Sequence, residues 1–386
     1  MKNHFIKNVI SVILCVCFGL GCCVVAFAAQ APLNVGDYVA PDSGKDVSAE
    51  LQQIIDENPN RTLYFPDGEY LVSTPLYTPA NPSKSVDLQL STYTVIKASS
   101  DFSGEAVIAL GGKDPFNDIK TPGSNYSLTG GIVDCSGIAT GVAILSGRET
   151  KIQNTSIKNA VIGIYIGPGA NNGSSDSDVR DVNITGTEKP DSVGVLVEGH
   201  DNTFTNMRIG GVYKGFHIKS GGNSLYNIHP LFYGNFAEFE TSIGFHVEGS
   251  NNTLNYCYSD QFCTAYRVGN KNTFDNCFCM WWTNQGEKCT VIQSDGRFDS
   301  VFTNLTVSLR HDTDNTMLKG TVIGNGTIQN LMADESRFNL NRSYKIFMSD
   351  SPIHFIKNLF TKFINIFKNI GYLIRYNLIK AGIISA

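Results

Sequence analysis

The sequence predicts an all-β fold, a parallel β-helix in which short strands stack coil upon coil. The first observation is a phrase that returns 29 residues later, as GFHIKSGGNSLYNIHP at 215–230 and GFHVEGSNNTLNYCYS at 244–259. The second is a recurring pattern of an apolar residue, any residue and an Asn-like residue, which begins at Ile152, Val179, Phe204, Leu225, Leu254, Phe274, Phe302 and Ile328. Units of about 20 to 30 residues cannot bury their apolar side alone, so copies must stack.

Each unit also carries a strand in which apolar residues alternate. These strands begin with a small residue, at Gly141, Gly163, Gly194, Gly215, Gly244 and Ala265. If the apolar neighbours of His217 face the core, His217 itself faces outward, as do His246 and Arg267 on the next two coils. The Asn-like positions predict a ladder of side-chain amides that hydrogen-bond between coils at one turn.

The two ends of the chain differ from its body. Lys2 and Lys7 precede an apolar run, and Ala26-Phe27-Ala28 has the small residues that a signal peptidase recognises, so residues 1–28 are predicted to be a signal peptide. A lipoprotein signal at Cys22 and a retained membrane anchor are the alternatives; the run is shorter than the roughly 20 apolar residues that span a bilayer. The predicted β-helix domain then covers residues 29–350, and the mature protein is secreted or attached to the cell surface.

Residues 351–386 form a basic tail without an acidic residue. Apolar residues recur there at helical spacing with lysines between them, which predicts an amphipathic helix. This helix either covers the last coil or lies on an anionic membrane or cell-wall polymer. At the other end, Asp46 precedes a predicted helix, Val47 to Asn58, whose Leu51, Ile54 and Ile55 share one face and can cover the first coil.

The opening of the predicted domain resembles a known family. The run from Asn34 to Val72, with its NVGDY loop, helix and YFPDGEYLV element, is similar to the start of the pectate lyase superfamily of right-handed β-helices, which includes polygalacturonase-like and rhamnogalacturonase-like enzymes. The close likeness covers about 40 residues. The resemblance implies a right-handed helix and a protein that cleaves or binds an acidic polysaccharide.

The chain departs from the hydrolases of that superfamily. They carry Asn-x-Asp, Asp-Asp, Gly-His-Gly and Arg-x-Lys on successive coils, whereas this sequence has no Asp-Asp pair and only partial likenesses at 199–201 and 217–219. A carboxylate cluster with a basic residue, as pectate lyase chemistry requires, is not evident on adjacent coils. The family therefore indicates the fold and leaves the reaction open.

Candidate site residues lie on the coils between Gly194 and Trp282. A histidine beside a carboxylate can act as a general acid/base pair, so we nominate Asp260 with His217 or His246 as catalytic residues. Basic and aromatic side chains suit the carboxylates and ring faces of a sugar chain. The predicted substrate-binding residues are Arg208, His229, Tyr258, Arg267, Glu240, Trp281 and Trp282. The alternative is that these are ordinary surface residues of repeated coils.

The charge distribution argues against a nucleic-acid-binding protein, and the cysteine spacing argues against a zinc site. The net charge is −5, and the acidic excess lies between the basic ends, so the body would repel nucleic acid. The six cysteines beyond the signal, Cys135, Cys257, Cys263, Cys277, Cys279 and Cys289, lack zinc-site spacing, so neither a metal nor another cofactor is expected. They are core thiols or disulfides between coils.

The sequence predicts an exported enzyme, a glycoside hydrolase or polysaccharide lyase, that binds an acidic glycan along the β-helix. The alternative is a non-catalytic carbohydrate-binding or adhesive surface protein. Two or three carboxylates that converge within about 5 to 10 Å would favour an enzyme. Whether three helices associate as a homotrimer stays open.

Overall fold

The computed structural model of the protein describes residues 31–79, 81, 84–112, 126–169, 174–233, 236–281, 289–309, 320–332, 338–340 and 344–347. The predicted signal peptide and the basic tail lie outside these residues. Within the described part, nearly all regular structure is short parallel strands, and no helix is long and apolar enough to cross a membrane.

The strands follow one another in chain order with few interruptions. They are β1 (Leu33–Asn34), β2 (Arg61–Phe65), β3 (Gly68–Val72), β4 (Leu76–Tyr77), β5 (Val86–Leu90), β6 (Thr94–Ala98), β7 (Ile108–Leu110), β8 (Ser127–Thr129), β9 (Ile132–Asp134), β10 (Thr140–Ile144), β11 (Lys151–Gln153), β12 (Ser156–Ala160), β13 (Ile162–Ile166), β14 (Asp178–Arg180), β15 (Asn183–Gly186), β16 (Val193–Val197), β17 (Thr203–Gly210), β18 (Lys214–Ile218), β19 (Ser224–Leu231), β20 (Ile243–Val247), β21 (Thr253–Asn255), β22 (Tyr258–Asp260), β23 (Thr264–Val268), β24 (Thr273–Asp275), β25 (Phe278–Trp281), β26 (Cys289–Ser294), β27 (Val301–Thr303), β28 (Thr306–Leu309), β29 (Gly320–Ile323), β30 (Gly326–Gln329), β31 (Phe338–Leu340) and β32 (Tyr344–Phe347). One α-helix, α1 (Ser48–Glu57), and two 3₁₀ helices, Val35–Asp37 and Phe236–Thr241, complete the described elements.

These strands form two parallel sheets. The 11-stranded sheet, called the short sheet below, runs from β4 through β18, β20 and β23 to β31, and the 21-stranded sheet, the long sheet, contains the remaining strands. Strands of consecutive coils pair in register, so Leu225 lies opposite Leu254, and His217 lies opposite His246. The predicted stacking is therefore confirmed.

Apolar side chains fill the interior along the whole stack. The apolar position of the repeat is buried in every described coil, as Leu128, Ile152, Val179, Phe204, Leu225, Leu254, Phe274, Phe302 and Ile328. Phe274 and Phe302 stack face to face with ring centroids 4.1 Å apart. Each such side chain stabilises the fold by about 1.5–3 kcal/mol relative to its exposed state.

The glycine at the second position of the short-sheet strands β10, β13, β16, β18 and β20 is needed because the coils approach closely there. A Cβ added to Gly215 would lie 2.5 Å from the carbonyl oxygen of Gly244 and 2.4 Å from Cβ of Pro230. Both distances are far below van der Waals contact, so a side chain at Gly215 would force the coils apart.

The Asn-like positions of the repeat occupy one sharp turn. Asn154, Asp181, Asn206, Asn227, Tyr256, Asn276, Asn304 and Asn330 all have φ between 50° and 55°, in the left-handed region that Asn and Asp tolerate best. Their side chains bond from coil to coil: Nδ2 of Asn227 donates to Oδ1 of Asn206 at 3.0 Å, and Nδ2 of Asn330 donates to Oδ1 of Asn304 at 2.9 Å. The predicted ladder is confirmed.

A second ladder lies inside the fold, and sequence reasoning did not find it. Asn202, Asn223, Asn252 and Asn272 are buried, and Nδ2 of each of the first three donates to Oδ1 of the next at 3.1–3.2 Å. The same oxygens also accept backbone N–H groups, for example from Asn223 to Asn252 at 2.9 Å. Since unpaired buried amides are costly, the ladder forces the coils to keep one register.

Tyr256 interrupts the outer ladder, and its replacement by Asn is expected to stabilise the protein by about 1 kcal/mol. A left-handed backbone costs a bulky residue roughly 1–2 kcal/mol, and an Asn there would restore amide bonds between Asn227 and Asn276. The midpoint of urea denaturation would measure the change. The control is Tyr226→Asn, which removes the same contact between Tyr226 and Tyr256 without relieving strain, and it should lower the midpoint. A lower midpoint for Tyr256→Asn would contradict the expectation.

The helix α1 covers one edge of the short sheet, as predicted. Leu51 and Ile55 are fully buried in the core, and Asp46 accepts the backbone N–H of Ser48 at 3.0 Å. The side-chain amide of Gln52 also pairs with the edge strand β4, because it donates to the carbonyl of Tyr77 at 2.9 Å and accepts its N–H at 2.8 Å. These two bonds occupy backbone groups that an open edge would expose.

The cysteines fill space in the core. All six lie buried as free thiols. Of the two interpretations of the sequence, core thiols or disulfides between coils, the structure supports core thiols. Burial raises the pKa of Cys257 and Cys279 well above the ordinary value, so these thiols are poor nucleophiles at neutral pH.

Candidate functional site

Two groups of titratable residues lie outside the apolar core on adjacent coils. The first, called the long-sheet group, consists of Arg208, His229, Tyr258 and Asp260 on β17, β19 and β22. Pairing places Arg208 opposite His229 and Leu231 opposite Asp260, which aligns His229 with Tyr258. The repeat spacing in the sequence likewise puts Arg208, His229 and Tyr258 at matching positions of successive coils, whereas it places Asp260 outside that column.

The long-sheet group holds a histidine beside a carboxylate. Nε2 of His229 lies 3.5 Å from Oδ2 of Asp260, and the two side chains are 27% and 13% exposed. The His229 ring stacks on Tyr258 with centroids 4.1 Å apart. Nε2 of His229 is buried and has no hydrogen-bond partner among the described residues, so a ligand could supply one.

The phenol of Tyr258 is a proton donor in this group. Burial, and then the charge of Asp260, raises the pKa of Tyr258, so the hydroxyl keeps its proton at neutral pH. In the structure this hydroxyl donates to the sulfur of Met280 at 3.4 Å, a weak acceptor that a sugar oxygen could replace.

Exposed basic and aromatic side chains extend the long-sheet group. Arg208 is exposed, and its Nη1 donates to the carbonyls of Met207 at 3.1 Å and Asn227 at 3.4 Å. The neighbouring rings of Tyr226 and Tyr256 are 50% and 53% exposed and meet edge to face at 5.5 Å. Sequence reasoning missed these two tyrosines, although Tyr256 is the one ladder position above that is neither Asn nor Asp.

The second group, called the short-sheet group, consists of His217, His246 and Glu248. The imidazole rings lie parallel with centroids 4.4 Å apart, as the alternation of β18 and β20 predicts. Oε1 of Glu248 lies 2.7 Å from Nε2 of His217 and 3.4 Å from Nε2 of His246. Sequence reasoning missed Glu248, which lies two residues beyond His246 and therefore on the same face.

The two histidines point away from the apolar core but are only 9% and 10% exposed. Burial lowers the pKa of His217, and burial together with the charge of His217 lowers that of His246 to about 4, so both rings are neutral at pH 7. Burial opposes ionisation of Glu248, but the hydrogen bond from His217 and the nearby imidazoles lower its pKa overall. The group thus combines two neutral imidazoles with one carboxylate.

Further charges around the short-sheet group are paired. Glu198 accepts from Nζ of Lys219 and from the hydroxyl of Tyr165, both at 2.8 Å. Nε of Arg267 lies 2.5 Å from Oδ2 of Asp295. Arg267, predicted to bind substrate, therefore already holds a carboxylate of this chain.

The structure pairs the nominated residues differently from the sequence interpretation. Asp260 lies against His229, whereas His217 and His246 share Glu248. Glu240 lies exposed in the 3₁₀ helix Phe236–Thr241. Trp282 lies outside the described residues.

The prediction that Trp281 binds substrate is wrong. Its side chain is 1% exposed, and its Nε1 donates to the carbonyl of Phe262 at 2.6 Å, so the ring belongs to the core. Adjacent residues of a strand face opposite ways, and from two consecutive tryptophans the sequence could not tell which one faces inward.

Comparison with known proteins identifies the family of the chain. A family model described as "Rhamnogalacturonase A/epimerase, pectate lyase-like" matches residues 33–230, just over half of the sequence. Among curated proteins, no relative matches this chain.

Solved structures share the fold at low sequence identity. The catalytic domain of a GH87 alpha-1,3-glucanase variant in complex with tetrasaccharides is 12% identical, with a TM-score of 0.51 over 83% of this chain and 70% of that one. The tailspike protein of E. coli bacteriophage HK620 in complex with a pentasaccharide is also 12% identical, with a TM-score of 0.56 over 83% of this chain and 64% of that one.

The family match confirms the resemblance that the N-terminal run predicted, and with it the right-handed parallel β-helix. The match covers residues 33–230, whereas the likeness seen in the sequence covered about 40 residues. The chain belongs to the rhamnogalacturonase A/epimerase, pectate lyase-like family.

Proposed function

We propose that this chain is an exported enzyme that cleaves an acidic polysaccharide, as a glycoside hydrolase or a polysaccharide lyase, on the surface formed by the long-sheet group. The observation that carries the proposal is the contact of Asp260 with His229, at 3.5 Å, beside the protonated phenol of Tyr258. The group holds one carboxylate, not the two or three that the sequence criterion asked for. The proposal therefore assigns the second proton transfer to the imidazole of His229 or the phenol of Tyr258, since either group can donate or accept a proton during cleavage of a glycosidic bond.

The surroundings of this pair suit an acidic glycan. Arg208 offers an exposed guanidinium, which can bind a sugar carboxylate through two hydrogen bonds. The exposed rings of Tyr226 and Tyr256 offer apolar faces on which pyranose rings can pack. The fold neighbours described above are a glucanase domain and a tailspike protein, each with a bound oligosaccharide, which supports a sugar ligand here.

The proposal differs from the sequence interpretation in one assignment. Asp260 keeps its role as the candidate acid/base, and His229 replaces His217 and His246 as its partner because it is the histidine that the structure brings to this carboxylate. Burial of the Asp260 side chain, only 13% exposed, shields the pair from bulk water.

A screen of the purified protein on acidic and neutral polysaccharides tests the function. We expect new reducing ends with at least one acidic polymer and little release from its neutral counterpart. If ultraviolet absorbance rises together with the reducing ends, the reaction is an elimination, and if it does not, the reaction is a hydrolysis. Tight retention of a glycan without release of reducing ends would contradict an enzyme and support a carbohydrate-binding protein.

A further inference from the structure

The short-sheet group offers a ligand set that the proposed reaction does not use. The donor atoms of His217, His246 and Glu248 all lie within 4.8 Å of one another. The three residues come from two adjacent coils held in register by β18 and β20, so their backbones are fixed relative to one another. For a divalent ion to lie about 2.0–2.2 Å from each donor, the two parallel rings must tilt toward each other and toward Glu248.

The chemistry of the donors fits a transition metal better than an organic ligand. Neutral imidazole nitrogens and a carboxylate are the ligands of Zn²⁺ sites that keep one position open. The Glu248 side chain is 47% exposed, while the two rings are almost completely covered. An ion held by the rings would therefore be reachable from the side of Glu248, where water or a sugar oxygen could complete its coordination.

One polar atom of the group is unsatisfied without a ligand. Nδ1 of His246 is buried and has no hydrogen-bond partner among the described residues. A buried polar atom of this kind is normally paired, and a bound ion could accept its lone pair. Its ring lies parallel to that of His217 with centroids 4.4 Å apart, so the two imidazoles present their nitrogens side by side.

The nearby positive charges do not exclude a cation. Lys219 is paired with Glu198, and Arg267 is paired with Asp295. Lys214 lies on the same strand as His217, opposite Ile243 of β20.

We propose that His217, His246 and Glu248 bind one divalent transition metal ion of the Zn²⁺ type, with a further coordination position open to solvent. The site is distinct from Asp260 and His229, and the inference does not rest on the proposed polysaccharide cleavage.

Calorimetric titration of the chelator-treated, purified full chain with zinc chloride tests the inference. We expect one equivalent of Zn²⁺ to bind, and Glu248→Gln to weaken binding by at least the roughly 10–100-fold that loss of an outer-shell partner costs, since it replaces a charged direct ligand with a neutral amide. The matched control is His200→Asn, which removes a histidine outside the group and should leave the affinity unchanged. Equal affinities of Glu248→Gln and the wild type would overturn the inference.

Cobalt substitution provides a second measurement that needs no variant. Co²⁺ bound by two imidazoles and a carboxylate should give the intense visible absorption of a four- or five-coordinate ion. The spectrum of fully hydrated Co²⁺, or a thiolate charge-transfer band from the buried cysteines, would also overturn the inference. Because both experiments omit glycan, a protein that binds zinc but cleaves no polysaccharide would contradict only the proposed function.

Discussion

Replacement of Asp260 by Asn is expected to lower kcat for glycan cleavage by about 10²–10⁴-fold, the usual contribution of a general acid or base. Asn has nearly the same shape, so the packing around His229 and Tyr258 should persist, but its amide cannot take up or release the proton. KM should change little, since Arg208 and the exposed tyrosines, rather than Asp260, are proposed to hold the sugar. Initial rates of reducing-end release over a range of glycan concentrations would separate the two constants.

The matched control for this variant is Asp191→Asn, which removes an exposed carboxylate outside both groups. Its kcat should stay within about twofold of the wild type, as for most surface substitutions. An unchanged kcat in Asp260→Asn would remove Asp260 from the mechanism. A rise in KM alone would instead assign it to substrate binding.

Replacement of Phe274 by Ala is expected to lower the free energy of unfolding by about 3–5 kcal/mol. The Phe274 ring is fully buried, stacks on Phe302 at 4.1 Å and meets Tyr266 edge to face at 5.7 Å. Its loss leaves a cavity in the middle of the stack, where the paired coils on either side cannot close together. Urea denaturation followed by circular dichroism would measure the change.

The control for the core variant is Phe298→Ala, which makes the same chemical change at a ring that is 59% exposed and lies under Nζ of Lys271 at 5.2 Å. We expect it to cost no more than about 1 kcal/mol, the value of an exposed cation–π contact. If both variants lost the same stability, packing along the apolar column would not be what holds the coils together.

The stacking and its columns could be predicted from the sequence because their causes are local. Alternation within a strand sets which residues face the core, and equal spacing of the repeat brings equivalent residues of successive coils together. These two rules placed His217 against His246, aligned His229 with Tyr258, and put the Asn-like residues in one turn.

Which residues meet in the two candidate groups could be predicted from the sequence only in part. Glu248 follows the last residue of β20, so alternation alone could have placed it beside His246, but its bond to His217 also depends on the side-chain rotamer. The contact of Asp260 with His229 joins different columns of the long sheet, and no repeat spacing encodes it. Trp281 is buried and donates to the carbonyl of Phe262, a partner 19 residues earlier in the chain that the repeat pattern does not indicate.

The sequence by itself determined that this chain is a stack of parallel strands with an apolar interior, a helix at its first edge and polar columns outside. Only the tertiary structure decided which charges meet, that the histidines of the short sheet are covered, and that a second Asn ladder is buried. The physical reason is the distance in sequence over which each effect acts. Strand alternation and repeat spacing act within one coil and its neighbour, so the sequence shows them directly. Side-chain partners and burial depend on rotamers and on the turns that join the sheets, which the sequence pattern does not show.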